Sequence, residues 1–325
     1  MAATEAFEFT PKGHSMVAKM KSVARAAILT CAVFASAVSI AAGTETSISD
    51  PHSVSAQGSS PSPPMASISY LDRLAAFKTR LIRKGPSPQP YKLQSPPPGV
   101  REVTFPSGPL TLKAWVAFPD GAANAKLPVV VFFHGGFGFG AGDFEDARPF
   151  LQAGFAVMCP MLRGEDGNPG DFQMLLGEVD DASAAIAWMA SQPGVDPSHI
   201  YTFGHSAGGI ISALLSLRAV PIRHGGSSGG LFGTRMFDID WAQKSMPFAD
   251  SPQEREMRVL VGNVRWMQRR HYAYVGAGDP DQDVASARGE LQPGSLLVIT
   301  QIPGDHFTSL APSVKAYIER IKNEP

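Results

Sequence analysis

Residues 200–210 read Ile-Tyr-Thr-Phe-Gly-His-Ser-Ala-Gly-Gly-Ile. Ile200–Phe203 form an apolar run of strand character, and Ile210, Ile211, Leu214 and Leu215 follow at helical spacing. Between them stands Gly204-His-Ser206-Ala-Gly208, a Gly-x-Ser-x-Gly pattern. Such a pattern between strand and helix marks a sharp turn that lifts a serine hydroxyl above the edge of a sheet. Glycines two residues before and after the serine keep the crowded turn free of side chains.

The pattern recurs twice, overlapping, in His224-Gly-Gly-Ser-Ser-Gly-Gly230. Pro221-Ile-Arg precedes that stretch and Leu231-Phe-Gly follows it, which is poor material for a helix. Ser206 is therefore read as the nucleophile. Ser227 and Ser228 are read as loop residues beside the site.

Working outward from Ser206, strands and helices alternate. Helical spacing of Ile68, Leu71, Leu74, Phe77 and Leu81 predicts a short amphipathic helix. Proline-rich segments from Gly85 to Gly99 then force an extended passage. Strands are expected at 100–105 and 110–118, joined as a hairpin through Pro106-Ser-Gly-Pro109. Leu127–Phe133 is apolar throughout, as suits a strand buried on both faces. Helices are expected at 143–153, 172–191, 207–218 and 312–322, and further strands at 155–161, 200–203, 271–275 and 296–302. This alternation predicts an α/β fold: a mostly parallel central sheet with helices on both faces and antiparallel N-terminal strands.

A serine hydroxyl needs a base. Where the serine stands on such a Gly-x-Ser-x-Gly elbow, its partners follow in the chain order serine, acid, histidine. Of 8 histidines, only His306 lies beyond every candidate acid, just after a strand end. The acid is sought after the strand ending at Val275, where Asp279, Asp281 and Asp283 compete. Asp281, three residues before the apolar Val284, is preferred and Asp279 is the alternative. Asp305 is too close to His306 along the chain, and His205 is read as structural. The oxyanion that forms on attack requires N–H donors. One is the N–H of Ala207, next to the serine. The other is expected from His134-Gly135-Gly136 after the 127–133 strand, with Gly136 favoured and Gly135 possible.

Several of these pieces, in order, resemble the catalytic domains of prolyl oligopeptidase-like and acylaminoacyl-peptidase-like hydrolases and of dienelactone-hydrolase-like esterases, all of the α/β-hydrolase superfamily. They are Phe133-His-Gly-Gly136, Leu162-Arg-Gly-Glu-Asp-Gly-Asn-Pro-Gly170, Gly177-Glu-Val-Asp-Asp181, Val195-Asp-Pro-Ser-His-Ile200 and Gly204-His-Ser-Ala-Gly-Gly209. The resemblance spans about 98–322. It implies an α/β-hydrolase fold, a Ser206–Asp281–His306 triad and an oxyanion hole of Gly136 and Ala207. About 100 residues precede the sheet, too few for the bladed propeller of the larger peptidases. The modest 206–281 segment leaves little for a lid. Phe232, Met236, Phe237, Trp241 and Phe248 form either a small apolar wall over the pocket or plain core.

Composition bounds the rest. The 325 residues are 44% hydrophobic and 18% charged with net charge −1, so no electrostatic footprint for nucleic acid is present. The 2 cysteines make neither a disulfide framework nor a metal site, and Cys159 sits in an apolar run as an inert core residue. No cofactor or metal is expected. Lys19, Lys21 and Arg25 precede an uncharged run, Ala26–Ala42, with small-residue cleavage sites, the layout of a secretory signal peptide at 1–42. Glu5 and Glu8 fit such a leader badly, which puts the expected start at Met16 or Met20. Residues 43–66, rich in Ser, Thr, Gly and Pro, read as a tether to an α/β-hydrolase domain at 67–325. The expected protein is an exported serine hydrolase, secreted or periplasmic, with no stable membrane span after cleavage. It acts on small carboxylic esters or on small amides and short peptides. A catalytically inactive binding protein of the same fold is the alternative.

Overall fold

The computed structural model describes residues 68–121 and 126–324. The expected signal segment and the whole of the expected tether lie outside the described residues.

Eight strands form one sheet in the order β1-β2-β4-β3-β5-β6-β7-β8. They are β1 (Arg101–Ser107), β2 (Leu110–Ala117), β3 (Leu127–Phe133), β4 (Ala156–Pro160), β5 (Val195–His205), β6 (His224–Ser228), β7 (Arg270–Gly276) and β8 (Leu297–Ile302). β2 runs antiparallel to both β1 and β4, and every other pairing is parallel. The continuous apolar run of β3 has a simple reason. Val129, Val131 and Phe133 face one core layer, and Val130 and Phe132 face the other. Helices Gly177–Ala190 and Ala207–Leu215 supply the first layer, and helices Ala141–Gln152 and Leu310–Lys322 the second.

Three local departures from the sequence expectations have physical causes. The first helix covers only Tyr70–Ala76, capped by the Ser69 hydroxyl. Beyond it the chain is captured by another element: Glu254 accepts the Arg80 N–H at 2.7 Å and the Thr79 hydroxyl at 2.9 Å, and Leu81 bridges to Phe248. Arg258, fully buried, secures this junction. Its guanidinium donates to the Glu254 carboxylate at 2.6 Å and to Thr79 Oγ1 at 2.9 Å, and lies 3.8 Å from the centre of the Phe248 ring.

The helix expected from 172 starts only at Gly177, because Met174 and Leu175 take φ values of 53° and 72°. The Glu178 carboxylate stabilises that turn by accepting the N–H groups of Gln173 (2.7 Å) and Leu176 (3.1 Å). Burial pushes its pKa up to about 7, against the hydrogen bond from the Gln173 N–H.

The third departure is β6. The glycine–serine stretch expected as a loop is a strand near the middle of the sheet. A Cβ on Gly226 would stand 2.8 Å from the Phe203 and Tyr317 rings, and one on Gly225 2.7 Å from His271 Nδ1. Low strand propensity yields here to packing between large neighbours. Ser227 and Ser228 are buried strand residues rather than loop residues.

Candidate active site

The chain turns from β5 into the helix Ala207–Leu215 at Ser206, whose φ and ψ are 53° and −119°. A non-glycine residue is rarely held there, and such strain concentrates where a side chain must be presented. The turn needs its flanking glycines. A Cβ on Gly204 would lie 2.2 Å from the Gly208 carbonyl oxygen, and one on Gly208 2.1 Å from that of Phe133. The Ser206 N–H donates to the Ser228 carbonyl at 3.0 Å, so β6 anchors the elbow from its neighbouring edge.

His306 follows β8 and reaches back to this turn. Its Nε2 lies 2.9 Å from Ser206 Oγ, and its Nδ1 lies 2.7 Å from Asp279 Oδ2. The carboxylate beside the imidazole is thus Asp279 and not Asp281, which corrects the preferred acid. Asp279 caps the end of β7 with its side chain fully buried. Asp281, two residues on, is exposed and contributes only its backbone N–H, 3.2 Å from Asp279 Oδ1. Asp279 is tied to the end of β7 by its N–H, which donates to the Gly276 carbonyl at 3.0 Å. Asp283 is directed elsewhere, next to Gly233 and before the helix Val284–Gly289.

Two residues that sequence reasoning assigned no catalytic part shape this pair. Gly229, at φ 61°, has room for no side chain: a Cβ would stand 3.0 Å from the His306 ring and 3.5 Å from Asp279 Oδ2. The second Gly-Ser cluster is therefore a wall of the site rather than a second nucleophile. His205 Nε2 lies 2.9 Å from the His306 carbonyl, which ties the histidine loop to the elbow.

The Gly135–Gly136 loop packs on the elbow, since a Cβ on Gly135 would fall 3.6 Å from Ser206 Cβ. Gly136 has φ 73°, a conformation that favours glycine. A proline-rich strap fixes the outer side of this loop. Gln89 Oε1 accepts the Phe137 N–H at 2.8 Å, and the Ser87 hydroxyl donates to the Phe137 carbonyl at 2.5 Å. Behind the loop, buried His134 pairs with buried Glu165 at 3.1 Å. Burial opposes charge on the ring, but the Glu165 carboxylate outweighs it and pushes the His134 pKa up to about 9. Glu165 and Arg163 come from one glycine-rich loop. Arg163 grips Asp181 with two hydrogen bonds of 2.8 Å each, so two motifs of the sequence clasp one another beneath the site.

The expected apolar wall divides. Phe237 and Phe248 are fully buried core, with rings 5.7 Å apart. Phe232 and Trp241 are partly open. Phe232 stands edge-on 6.1 Å from the His306 ring, and Trp241 stands 6.1 Å from Phe137. Phe307 packs edge-on against His306 at 5.2 Å. Phe232 and Phe307 therefore flank the His306 ring. Among the described residues no cluster of His, Cys, Asp or Glu fit to hold a metal occurs, and no helix is long and apolar enough to cross a membrane.

Comparison with known proteins agrees with this architecture. Residues 107–222 match the family described as X-Pro dipeptidyl-peptidase (S15 family). The carboxylesterase NlhH of Mycobacterium tuberculosis is 32% identical over 134 residues, which cover 39% of this chain and 41% of the relative. The chain thus spans about two fifths of that relative's length. Among solved structures, the acylaminoacyl peptidase of Pyrococcus horikoshii superposes with TM-score 0.54 at 18% identity, over 69% of this chain and 40% of that one. An esterase of Pyrococcus furiosus superposes with TM-score 0.56 at 13% identity, over 74% and 96%. The chain has the α/β-hydrolase fold.

Proposed function

We propose that this α/β-hydrolase is a serine hydrolase that cleaves carboxylic esters of modest size through an acyl-enzyme. The observation that carries the reading is His306 standing between Ser206 and Asp279, at 2.9 and 2.7 Å. The Asp279 carboxylate is an acceptor, so the neutral imidazole keeps its proton on Nδ1 and turns a lone pair on Nε2 toward the serine. His306 takes the hydroxyl proton as Ser206 attacks the carbonyl carbon. It then returns that proton to the leaving alcohol. Water repeats the sequence on the acyl-enzyme and releases the acid. The N–H groups of Gly136 and Ala207 receive the oxyanion.

The rings of Phe232 and Phe307 beside His306 favour an apolar acyl or alcohol group. The relative named a carboxylesterase supports esters. The S15 match and the acylaminoacyl peptidase neighbour favour a second reading, a small amide or peptide bond. Turnover of a graded series of p-nitrophenyl esters and aminoacyl p-nitroanilides separates the two. The ester reading expects higher kcat/KM on short and medium esters, and anilides cleaved faster than every ester would overturn it.

Export is inferred from the basic residues Lys19, Lys21 and Arg25 ahead of the uncharged 26–42 run. The mature protein should begin beyond Ala37 and leave the cytoplasm. A cytoplasmic protein with residues 20–37 intact would contradict this.

A further inference from the structure

His134 offers an argument that does not depend on the triad itself. Its ring is buried, and each nitrogen faces an oxygen acceptor: Nε2 meets Glu165 Oε2 at 3.1 Å and Nδ1 meets the Gly135 carbonyl at 3.2 Å. A neutral imidazole has one bare nitrogen, which would set lone pair against lone pair at one of these contacts. Only the doubly protonated ring donates to both. The same Glu165 oxygen also accepts the Leu162 N–H at 2.8 Å, as an ionised carboxylate does. Further acidic groups face the ring from neighbouring elements. Asp143 lies on the helix Ala141–Gln152, and Asp166 accepts the Phe139 N–H at 2.7 Å. Phe139 covers the ring at 5.5 Å between centroids.

The Gly135 carbonyl belongs to the same peptide unit as the Gly136 N–H. We propose that His134 is a positioning residue held as an imidazolium, whose Nδ1–H polarises the Gly135–Gly136 peptide and so strengthens the Gly136 N–H as a donor to the oxyanion. Hydrogen bonds in series reinforce one another, and a cationic donor does so more than a neutral one. The charge need not move during the reaction. Glu165, placed behind the ring, keeps it protonated, which agrees with a pKa pushed up to about 9 by that carboxylate against the effect of burial. The proposal rests on the hydrolase reading, since it assigns a purpose to the oxyanion loop.

Two measurements test it. Nitrogen NMR of the wild-type protein should show both His134 ring nitrogens protonated at pH 8, and a neutral ring there would overturn the proposal without any variant. Glu165→Gln retains an oxygen for both the ring and the Leu162 N–H but removes the charge. This variant should lower kcat about tenfold, because weakening a donor costs less than the ~10²–10³ of removing one, and leave KM within about twofold. Its alkaline loss of activity should also move to lower pH than in the wild type. A merely structural role would not move that limb. Unchanged kcat and an unmoved limb in a folded Glu165→Gln protein overturn the proposal and leave the hydrolase reading intact. Absence of any ester or amide turnover in the wild type overturns both.

Discussion

Asp279 Oδ2 lies 2.7 Å from His306 Nδ1 with the Asp279 side chain wholly out of solvent, whereas Asp281 faces water two residues later. One loop thus offers two carboxylates of the same chemistry, and only one of them can orient the imidazole. Asp279→Asn should place a donor against Nδ1, impose the wrong tautomer and lower kcat by about 10⁴. Asp281→Asn keeps the backbone N–H that binds Asp279 and should change kcat by less than about threefold, since it touches neither reacting group. Steady-state kinetics of both variants on one ester checks the assignment, and the opposite ranking would reinstate Asp281.

Gln89 comes from a strap without regular structure, yet it accepts the Phe137 N–H at 2.8 Å beside Gly136. Gln89→Ala would leave that N–H to water and loosen the loop on which the oxyanion donors depend. kcat should fall roughly five- to tenfold while KM stays near its wild-type value, the pattern of an interaction felt in the transition state. Gln89→Glu retains an oxygen acceptor and should restore most of the rate. An equal loss in both variants would mean that the strap matters only for packing.

Acid sensitivity is expected from His271, far from the chemistry in role. It is fully buried, with Nε2 2.9 Å from Ser227 Oγ and no hydrogen-bond partner for Nδ1. Burial pushes its pKa down to about 3. An unfolded histidine titrates near ~6.5, so between these values the unfolded chain binds a proton that the folded one refuses. Stability contributed by the neutral ring is therefore complete above the unfolded value and falls as the pH drops below it. From pH 7 to pH 5 the wild type should lose about 2 kcal/mol more than His271→Asn, measured by urea unfolding. Parallel losses in the two proteins would refute the linkage.

Much of the fold was legible because its strongest signals are local. The uniformly apolar Leu127–Phe133 run, the strand–serine–helix order around Ser206 and the late position of His306 each constrain the arrangement without reference to distant residues. What was not legible depends on partners far along the chain. β6 reads as a glycine–serine loop until Phe203, Tyr317 and His271 are seen to fill the space its glycines leave. Asp279 and Asp281 are equivalent by composition, and only the approach of His306 to the buried one distinguishes them. The first helix stops at Ala76 because Glu254, 174 residues beyond Arg80, captures its continuation. The role of Gly229 was hidden for the same reason, since its neighbour in space is a histidine from another strand's end. Glu165 belonged to a motif whose order was recognisable, but its partner His134 became apparent only once the two loops met.

The central claim is that the Ser206 hydroxyl is activated by His306, and it can be tested without knowing the natural substrate. Treatment of the folded protein with a fluorophosphonate, followed by peptide mass spectrometry, should give a single adduct on Ser206 that is lost in Ser206→Ala and strongly slowed in His306→Ala. An unlabelled wild-type protein, or an adduct on Ser227 or Ser228 that persists in Ser206→Ala, would contradict the account.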